Sequence, residues 1–499
     1  MESLGDEPWD VVICGTGLQQ SLLALALSRS NKRILHVDPN DYYGEHEAAF
    51  SLQEADAWAA THGEEHATTG KQPIFKNAKA WKHADATDLG LSFPRAYSLA
   101  LAPQIIHTRS KLLEQLVSSR AYRQVEFLAV GSFFVFDAEA NEPNSKLARI
   151  PSSREDVFAT QAIPVKSKRS LMKFLKFVID YDSEEQKAVW QGQEEKLLPE
   201  FLASEFKLSE DLQKYILALT LTLDGRITVA DGLTTINRHL TSMGLFGPGF
   251  CAVYPKWGGS SEVAQVACRA GAVGGGIYML DTKAKVSDSS DGHEISLELS
   301  NGISVRTTKL VTSQQDALPG AQTITRLIAV VNSPLKSLFE IVVEGAPTPV
   351  VAVVTFPGST KDDSPIYIFV HSNETGECPA GQSVIYLTTL ASPQSAQRLE
   401  SALSDLLTAA SPEGSPIPVC LYKLQYEQSL STRESLSVTR EETRTFAFPS
   451  PPLNLSFDDG CLGPVKDAWK LVMGDTVSGD EYMVFEDREG VGDDEEVYD

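Results

Sequence analysis

The chain has 499 residues, a hydrophobic fraction of 42%, a charged fraction of 22% and a net charge of −24. That is enough chain for two or three domains with a sizeable core, and its ordinary globular composition excludes a wholly disordered or fibrous protein. The acidic excess argues against nucleic acid or an anionic membrane surface as the main partner, because phosphates attract Lys and Arg.

The first residues, Met1 to Glu7, lack the basic stretch of a secretory signal. The apolar run Leu18–Leu27 is shorter than the roughly 20 residues that a bilayer requires. Six cysteines are scattered without CxxC spacing, as expected of reduced thiols. These features predict a cytoplasmic protein.

In chain order, Trp9–Cys14 has the pattern of a buried strand, Leu18–Ser28 that of a Leu- and Ala-rich helix, and Arg33–Asp38 that of a second strand. Residues 44–91 turn polar and predict loop or insertion. Pro103–Tyr122 predicts a helix, followed by strands at Gln124–Val130 and Ser132–Asp137. Between 153 and 240 strand signals give way to amphipathic runs, Leu171–Tyr181, Leu197–Phe206, Leu212–Leu223 and Thr228–His239. The expected fold class is therefore α/β, with a large domain over 1–152 and 241–485 and an inserted helical domain over 153–240. After a helix and the glycines Gly274–Gly276, strand Ile277–Leu280 leads to a hairpin turning at Asn301-Gly302. Further strands are expected at Pro349–Phe356, Ile366–His371, Ser383–Leu390 and Val419–Tyr426, with a helix at Gln394–Leu407. Residues 486–499 read as a disordered acidic tail.

Gly15-Thr-Gly17 between a strand and a helix is the context of a dinucleotide-binding turn. Gly15 permits the tight turn, and Gly17 admits a pyrophosphate to the helix N-terminus, where free N–H groups favour an anion. Asp38, 23 positions after Gly15, stands where a ribose-binding carboxylate would. The third glycine is missing: Gln20, flanked by Gln19 and Ser21, occupies that region. A bound flavin or nicotinamide and a retained fold without cofactor both stay open on these residues.

His62-Gly-Glu-Glu65-His66 matches H-x-x-E-H, but its Gly- and Thr-rich surroundings do not suit a zinc-binding helix. No Walker loop and no G-x-S-x-G elbow occur, so neither a metal site nor a catalytic residue is expected.

From Tyr254 the chain runs through Gly258-Gly-Ser-Ser-Glu262 into a helix that Ser260 or Ser261 can cap. At ~100° per residue, Glu262, Gln265 and Arg269 fall within roughly 60° of one another, while Val263, Val266, Ala267 and Ala270 cluster on a separate, apolar side. The strip is either a solvated face or a hydrogen-bonding surface for a protein.

Three blocks in register resemble the family of Rab GDP-dissociation inhibitors and Rab escort proteins. They are Trp9–Leu18, Arg33–Asp38 with Tyr42-Tyr43-Gly44, and Tyr254-Pro through Glu262 and Arg269 to Gly275-Gly276-Ile-Tyr-Met279. The likeness covers roughly 9–285, includes Lys168–Tyr181, and fades beyond about 330. It implies a flavoprotein-like (FAD-binding-like, Rossmann-type) fold that uses no cofactor, with the turn Gly15, Gly17 and Asp38 vestigial. It implies GDP-bound Rab GTPases as partners, contacted at Tyr43, Glu262, Gln265, Arg269 and Met279. The single glycine after Tyr43, the run Ala49-Phe50-Ser51, the polar insertion and the acidic tail look more like the escort branch than the inhibitors. That branch is non-catalytic: it presents Rab to Rab geranylgeranyltransferase, shields the geranylgeranyl lipid and delivers the product to membranes. A prenyltransferase would then dock on the helical domain through an exposed aromatic, Phe201 or Phe206, and the lipid would lie among the helices of 155–240.

Overall fold

The computed structural model describes residues 4–63, 73–140, 146–151, 157, 165–287, 294–313, 317, 320–341, 343–358, 363–429, 444–449, 452–474 and 478–486. Val11–Cys14 forms the centre of a parallel sheet, ordered Ile277–Met279, Ile34–Val37, Val11–Cys14, Leu310–Ser313, Thr445–Phe448. Apolar residues on both faces of these strands suit a sheet covered on both sides. On one side every residue of helix Leu18–Leu27 is buried, under helices Ser260–Val273 and Leu462–Met473. On the other lies the three-stranded sheet Ala284–Val286, Ile295–Leu299, Ser304–Thr307, which buries Leu297, Leu299 and Val305 against Val12, Leu35 and Val37. Its Asn301-Gly302 turn is as expected, with Gly302 at φ 82°.

A second, mostly antiparallel sheet is built around Thr323–Val331, Val351–Phe356, Ile366–Ser372 and Ser383–Leu390. Helix Ser395–Ala410 covers one face through Leu399, Leu403 and Leu406. The other face, which includes Tyr254 and Leu421, packs on Phe50 and Trp58.

Three expectations are corrected. The polar segment 44–91 is not mainly loop. Ser51 caps helix Leu52–Thr61 in a reciprocal capping box with Glu54, and Phe75–Lys82 adds the outermost strand of the second sheet. Its apolar residues are few but well placed: Leu52, Ala55, Trp58 and Phe75 are buried. Second, the helix expected over Pro103–Tyr122 covers only Lys111–Ser118, because Ile106–His107 pairs with Ala252–Val253 and Ser110 caps the helix after it. Third, the two strands expected around residue 131 are one, Phe127–Phe136. It bends at Gly131-Ser132, where Ser132 takes φ 52° and the register shifts by a bulge.

Helices Val165–Ile179, Glu184–Trp190, Leu198–Phe206, Glu210–Thr220 and Val229–Ser242 follow in succession. They enclose their own apolar cluster, including Phe174, Phe177, Phe201, Ile216 and Ile236. Ser183 and Thr228 cap two of them by accepting backbone N–H groups. The expected tail lies outside the described residues except Glu486. Of the H-x-x-E-H run, Glu65 and His66 also lie outside them, and His62 stacks on Trp58.

Candidate functional site

Gly15 leaves the first strand at φ 93° and its N–H donates to the Val37 carbonyl at 2.7 Å, closing the tight turn as expected. Asp38 spends its carboxylate inside the protein. One oxygen accepts from both the N–H and the hydroxyl of Thr16 at 2.6 Å, the other from the Asn40 N–H at 2.7 Å. The Thr16 hydroxyl in turn accepts from the Gly44 N–H at 3.0 Å. The second strand, the turn and the start of the 44–91 segment are thereby tied together.

That segment fills the space in front of the turn. A Cβ placed on Gly15 would lie 2.1 Å from Glu45 Oε1, and one on Gly17 would lie 2.8 Å from Glu45 Oε2 and 3.0 Å from Gln20 Oε1. Gln20 Nε2 donates to Glu45 at 3.2 Å, and Glu47 accepts from the Leu18 N–H at 3.3 Å. Glu47 therefore stands where a helix N-terminus would receive a phosphate. Burial pushes Glu45 well above the usual carboxylate range, with Asp38 and Glu47 adding to the shift. It pushes Glu47 up to about 7 against the opposing Leu18 hydrogen bond. A pyrophosphate would meet these side chains in space and, once they ionise, in charge. The residues present do not fit a dinucleotide.

The helix Ser260–Val273 begins after Gly259 (φ 64°, ψ −129°), not on a serine cap, and Ser260 and Ser261 are both buried. Glycine is needed here, since a Cβ on Gly259 would lie 2.7 Å from the Tyr254 hydroxyl. That hydroxyl donates to the buried Glu377 at 2.7 Å, which also receives Tyr386 at 3.0 Å and pairs with His371 at 2.7 Å. This network ties the strand ahead of the helix, Ala252–Pro255, across the second sheet to Ile366–Ser372 and Ser383–Leu390, and no sequence signal singled out Glu377.

On the helix, Glu262 and Gln265 are half-buried and Arg269 is exposed. Gln265 Nε2 donates to Ser261 Oγ at 3.1 Å. Burial raises the Glu262 carboxyl, and Arg269 opposes that shift. Beside Arg269, Cys268 lies 3.2 Å from the Ser21 hydroxyl and interacts with the Tyr278 hydroxyl. The Tyr278 ring is 6.4 Å from that of Tyr43. Tyr43 is thereby linked, through Tyr278, to the buried Cys268 side of the helix. Met279 ends the outer strand Ile277–Met279 beside Val37, its carbonyl accepting the Asp38 N–H at 2.9 Å, while its side chain packs partly into the cluster around Trp9 and Val37.

Phe201 and Phe206 correct an expectation. They are 0% and 4% exposed in the centre of the helical cluster, facing Phe177 and each other. Aromatics recurring along an amphipathic helix have gone to the core, and neither presents a docking face.

Among the described residues, His107, His239 and Cys251 form a buried group that spacing along the chain does not reveal. Burial holds both imidazoles below their usual range, and the Arg238 guanidinium, 3.1 Å from His107 Nδ1, opposes a further cation.

The profile of the family described as GDP dissociation inhibitor matches residues 5–411. The chain belongs to this family. A relative from Saccharomyces cerevisiae, "Rab proteins geranylgeranyltransferase component A", is 31% identical over 418 residues, covering 81% of this chain and 66% of the relative. The chain thus spans slightly less than two thirds of that relative's length. Among solved structures, a Rab GDI from Plasmodium falciparum superposes with TM-score 0.65 at 19% identity, covering 95% of this chain and 99% of the other. An oxidoreductase from Methanosarcina mazei superposes with TM-score 0.57 at 12% identity, covering 92% and 99%. These two likenesses are in fold: this family member shares the α/β architecture of a Rab GDI and of an oxidoreductase. Among the described residues, no helix is long and apolar enough to cross a membrane.

Proposed function

We propose that this chain is a Rab escort protein: it binds GDP-bound, unprenylated Rab GTPases, presents them to Rab geranylgeranyltransferase and shields the lipidated product on its way to a membrane. The observation that carries the reading is the polar strip Glu262, Gln265 and Arg269, together with Tyr43. It rests on a helix locked from beneath, beside a nucleotide site that the chain closes with Glu45 and Glu47. A forked cationic donor, a carboxylate and an amide on one rigid face suit recognition of a polar protein surface. The closed turn favours a non-catalytic role over flavin chemistry. Family membership and the component A relative support the escort reading over that of a recycling inhibitor.

The test is geranylgeranylation of a Rab by the purified transferase with and without this chain. Incorporation that depends on the chain is the expected result. Extraction of prenylated Rab from membranes with no support of prenylation would select the inhibitor reading instead.

A further inference from the structure

A groove of about 460 Å³ opens between the end of helix Leu18–Leu27, the turn Arg120–Gln124 and the last turns of helix Ser260–Val273. Its walls include Arg29, Arg120, Arg123, Val266, Ala270 and Val273. Three arginines around one groove stand out in a chain of net charge −24, and Val273 is 85% exposed. The groove already receives the chain's own C-terminal region. The Phe485 N–H donates to the Ser118 carbonyl at 3.0 Å, and Arg120 Nε donates to the Phe485 carbonyl at 3.4 Å. Arg29 lies over the Phe485 ring, 4.7 Å from its centroid, and donates to the Glu486 carbonyl.

Residues 487–499, outside the described ones, continue from this anchor. They carry Asp487, Glu489, Asp493, Asp494, Glu495, Glu496 and Asp499 against Arg488 as the one base, together with Val491, Val497 and Tyr498. We propose that this acidic segment docks on the arginine-lined groove, as an intramolecular ligand of the surface formed by helix Ser260–Val273 and the turn Arg120–Gln124. Charge complementarity selects it: the groove is basic, and the segment that leaves its mouth is strongly acidic. Tethering at Phe485 supplies a local concentration of order mM, so modest intrinsic affinity suffices. Val491, Val497 and Tyr498 are apolar partners for the exposed Val273.

The experiment titrates a fluorescein-labelled peptide of residues 487–499 onto the chain ending at Glu486, following anisotropy at protein concentrations up to about 1 mM, the scale set by the tether. Saturable binding is expected, weakened at least tenfold by Arg120→Glu with Arg123→Glu and by raising the salt through the screening range, on the order of 0.02 to 0.2 M. The full-length chain should not bind the peptide, its own segment holding the groove. Arg123→Glu alone, at an exposed side chain, keeps the test readable if Arg120→Glu disturbs the fold, and should weaken binding measurably. Absence of saturable binding overturns the proposal. So does binding that the reversals leave unchanged, or equal binding by the full-length chain. No Rab enters the assay, so its outcome is independent of the function proposed above.

Discussion

Glu47 shows how one side chain can replace a ligand. Its carboxylate receives the Leu18 N–H at a helix N-terminus, while burial raises its proton affinity until it titrates at about 7. A carboxyl whose folded pKa lies above its unfolded value binds its proton more tightly in the folded state, so its contribution to stability is fully present below the unfolded value. That contribution falls as pH rises from the ordinary carboxylate range toward 7. The difference in unfolding free energy between the native chain and Glu47→Gln should therefore change between pH 5 and pH 8, with the native chain losing more. The expected loss is on the order of 2 kcal/mol, since one pKa unit corresponds to about 1.4 kcal/mol, and urea melts at the two pH values read it. A parallel dependence in both proteins would refute the titration of Glu47. On the polar strip, Arg269 is exposed and forked, and Arg is enriched among residues whose truncation costs an interface about 2 kcal/mol or more. Arg269→Ala should weaken Rab·GDP binding about tenfold or more in a calorimetric titration. Its unfolding midpoint should stay at the native value, because the side chain is not in the core.

Helix Ser260–Val273 owes its position to residues that bear no chemistry. A Cβ on Gly271 would lie 2.4 Å from the Tyr278 hydroxyl and 3.2 Å from the Ala24 Cβ, and one on Gly274 would lie 2.0 Å from the Ser28 carbonyl. These glycines let the helix lie directly on Leu18–Leu27. Gly274→Ala should cost about 1–3 kcal/mol by overpacking, measured by denaturant unfolding, and should weaken Rab binding by displacing Arg269 rather than by removing a contact. The strip itself was legible from helical periodicity, and so were the turn at Gly15 and the Asn301-Gly302 hairpin, because each depends on spacing within one short segment. The plug at Glu45 and Glu47 was not. Its residues sit in a stretch with little periodicity, and their role arises only when that stretch folds across the turn. For the same reason the Glu377 network stayed hidden, since Tyr254, His371 and Tyr386 come from distant strands. Phe201 and Phe206 failed differently: periodicity placed them on a helix but could not say which face the neighbouring helices would cover. With both in the core, Phe201→Ala should cost about 3–5 kcal/mol of stability, and any loss of prenyltransferase docking should track that unfolding.

At the scale of the whole molecule, Arg238 supplies polar bonds where the helical cluster meets the sheets. Its Nη2 donates to the Phe457 carbonyl at 2.8 Å and to His107 Nδ1 at 3.1 Å, and reaches the Ser456 hydroxyl at 3.3 Å. The Thr108 hydroxyl and Arg109 add bonds to the carbonyls of Ser242 and Thr241 at 2.7 and 2.8 Å. These polar bonds lie beside an apolar contact in which Ala218, Leu219 and Leu221 pack into the core of the second sheet, and the whole assembly feels forces that act on all parts at once. The net charge of −24 is such a force. Like charges repel across the compact state more than across an expanded chain, and salt screens the repulsion with a Debye length falling from about 30 Å at 0.01 M to about 8 Å at 0.15 M. Ion pairs such as Lys256–Glu126 and Lys423–Glu400 are at least partly exposed, so screening them sacrifices little. Adding sodium chloride across that range should therefore raise the thermal unfolding midpoint, where a protein held mainly by surface ion pairs would show a fall. Arg238→Ala removes the bonds to His107, Ser456 and Phe457 but leaves the overall charge almost unchanged. It should lower the midpoint at every salt concentration while preserving the upward slope, and a slope that vanished with Arg238 would locate the salt effect in the junction instead of the whole chain.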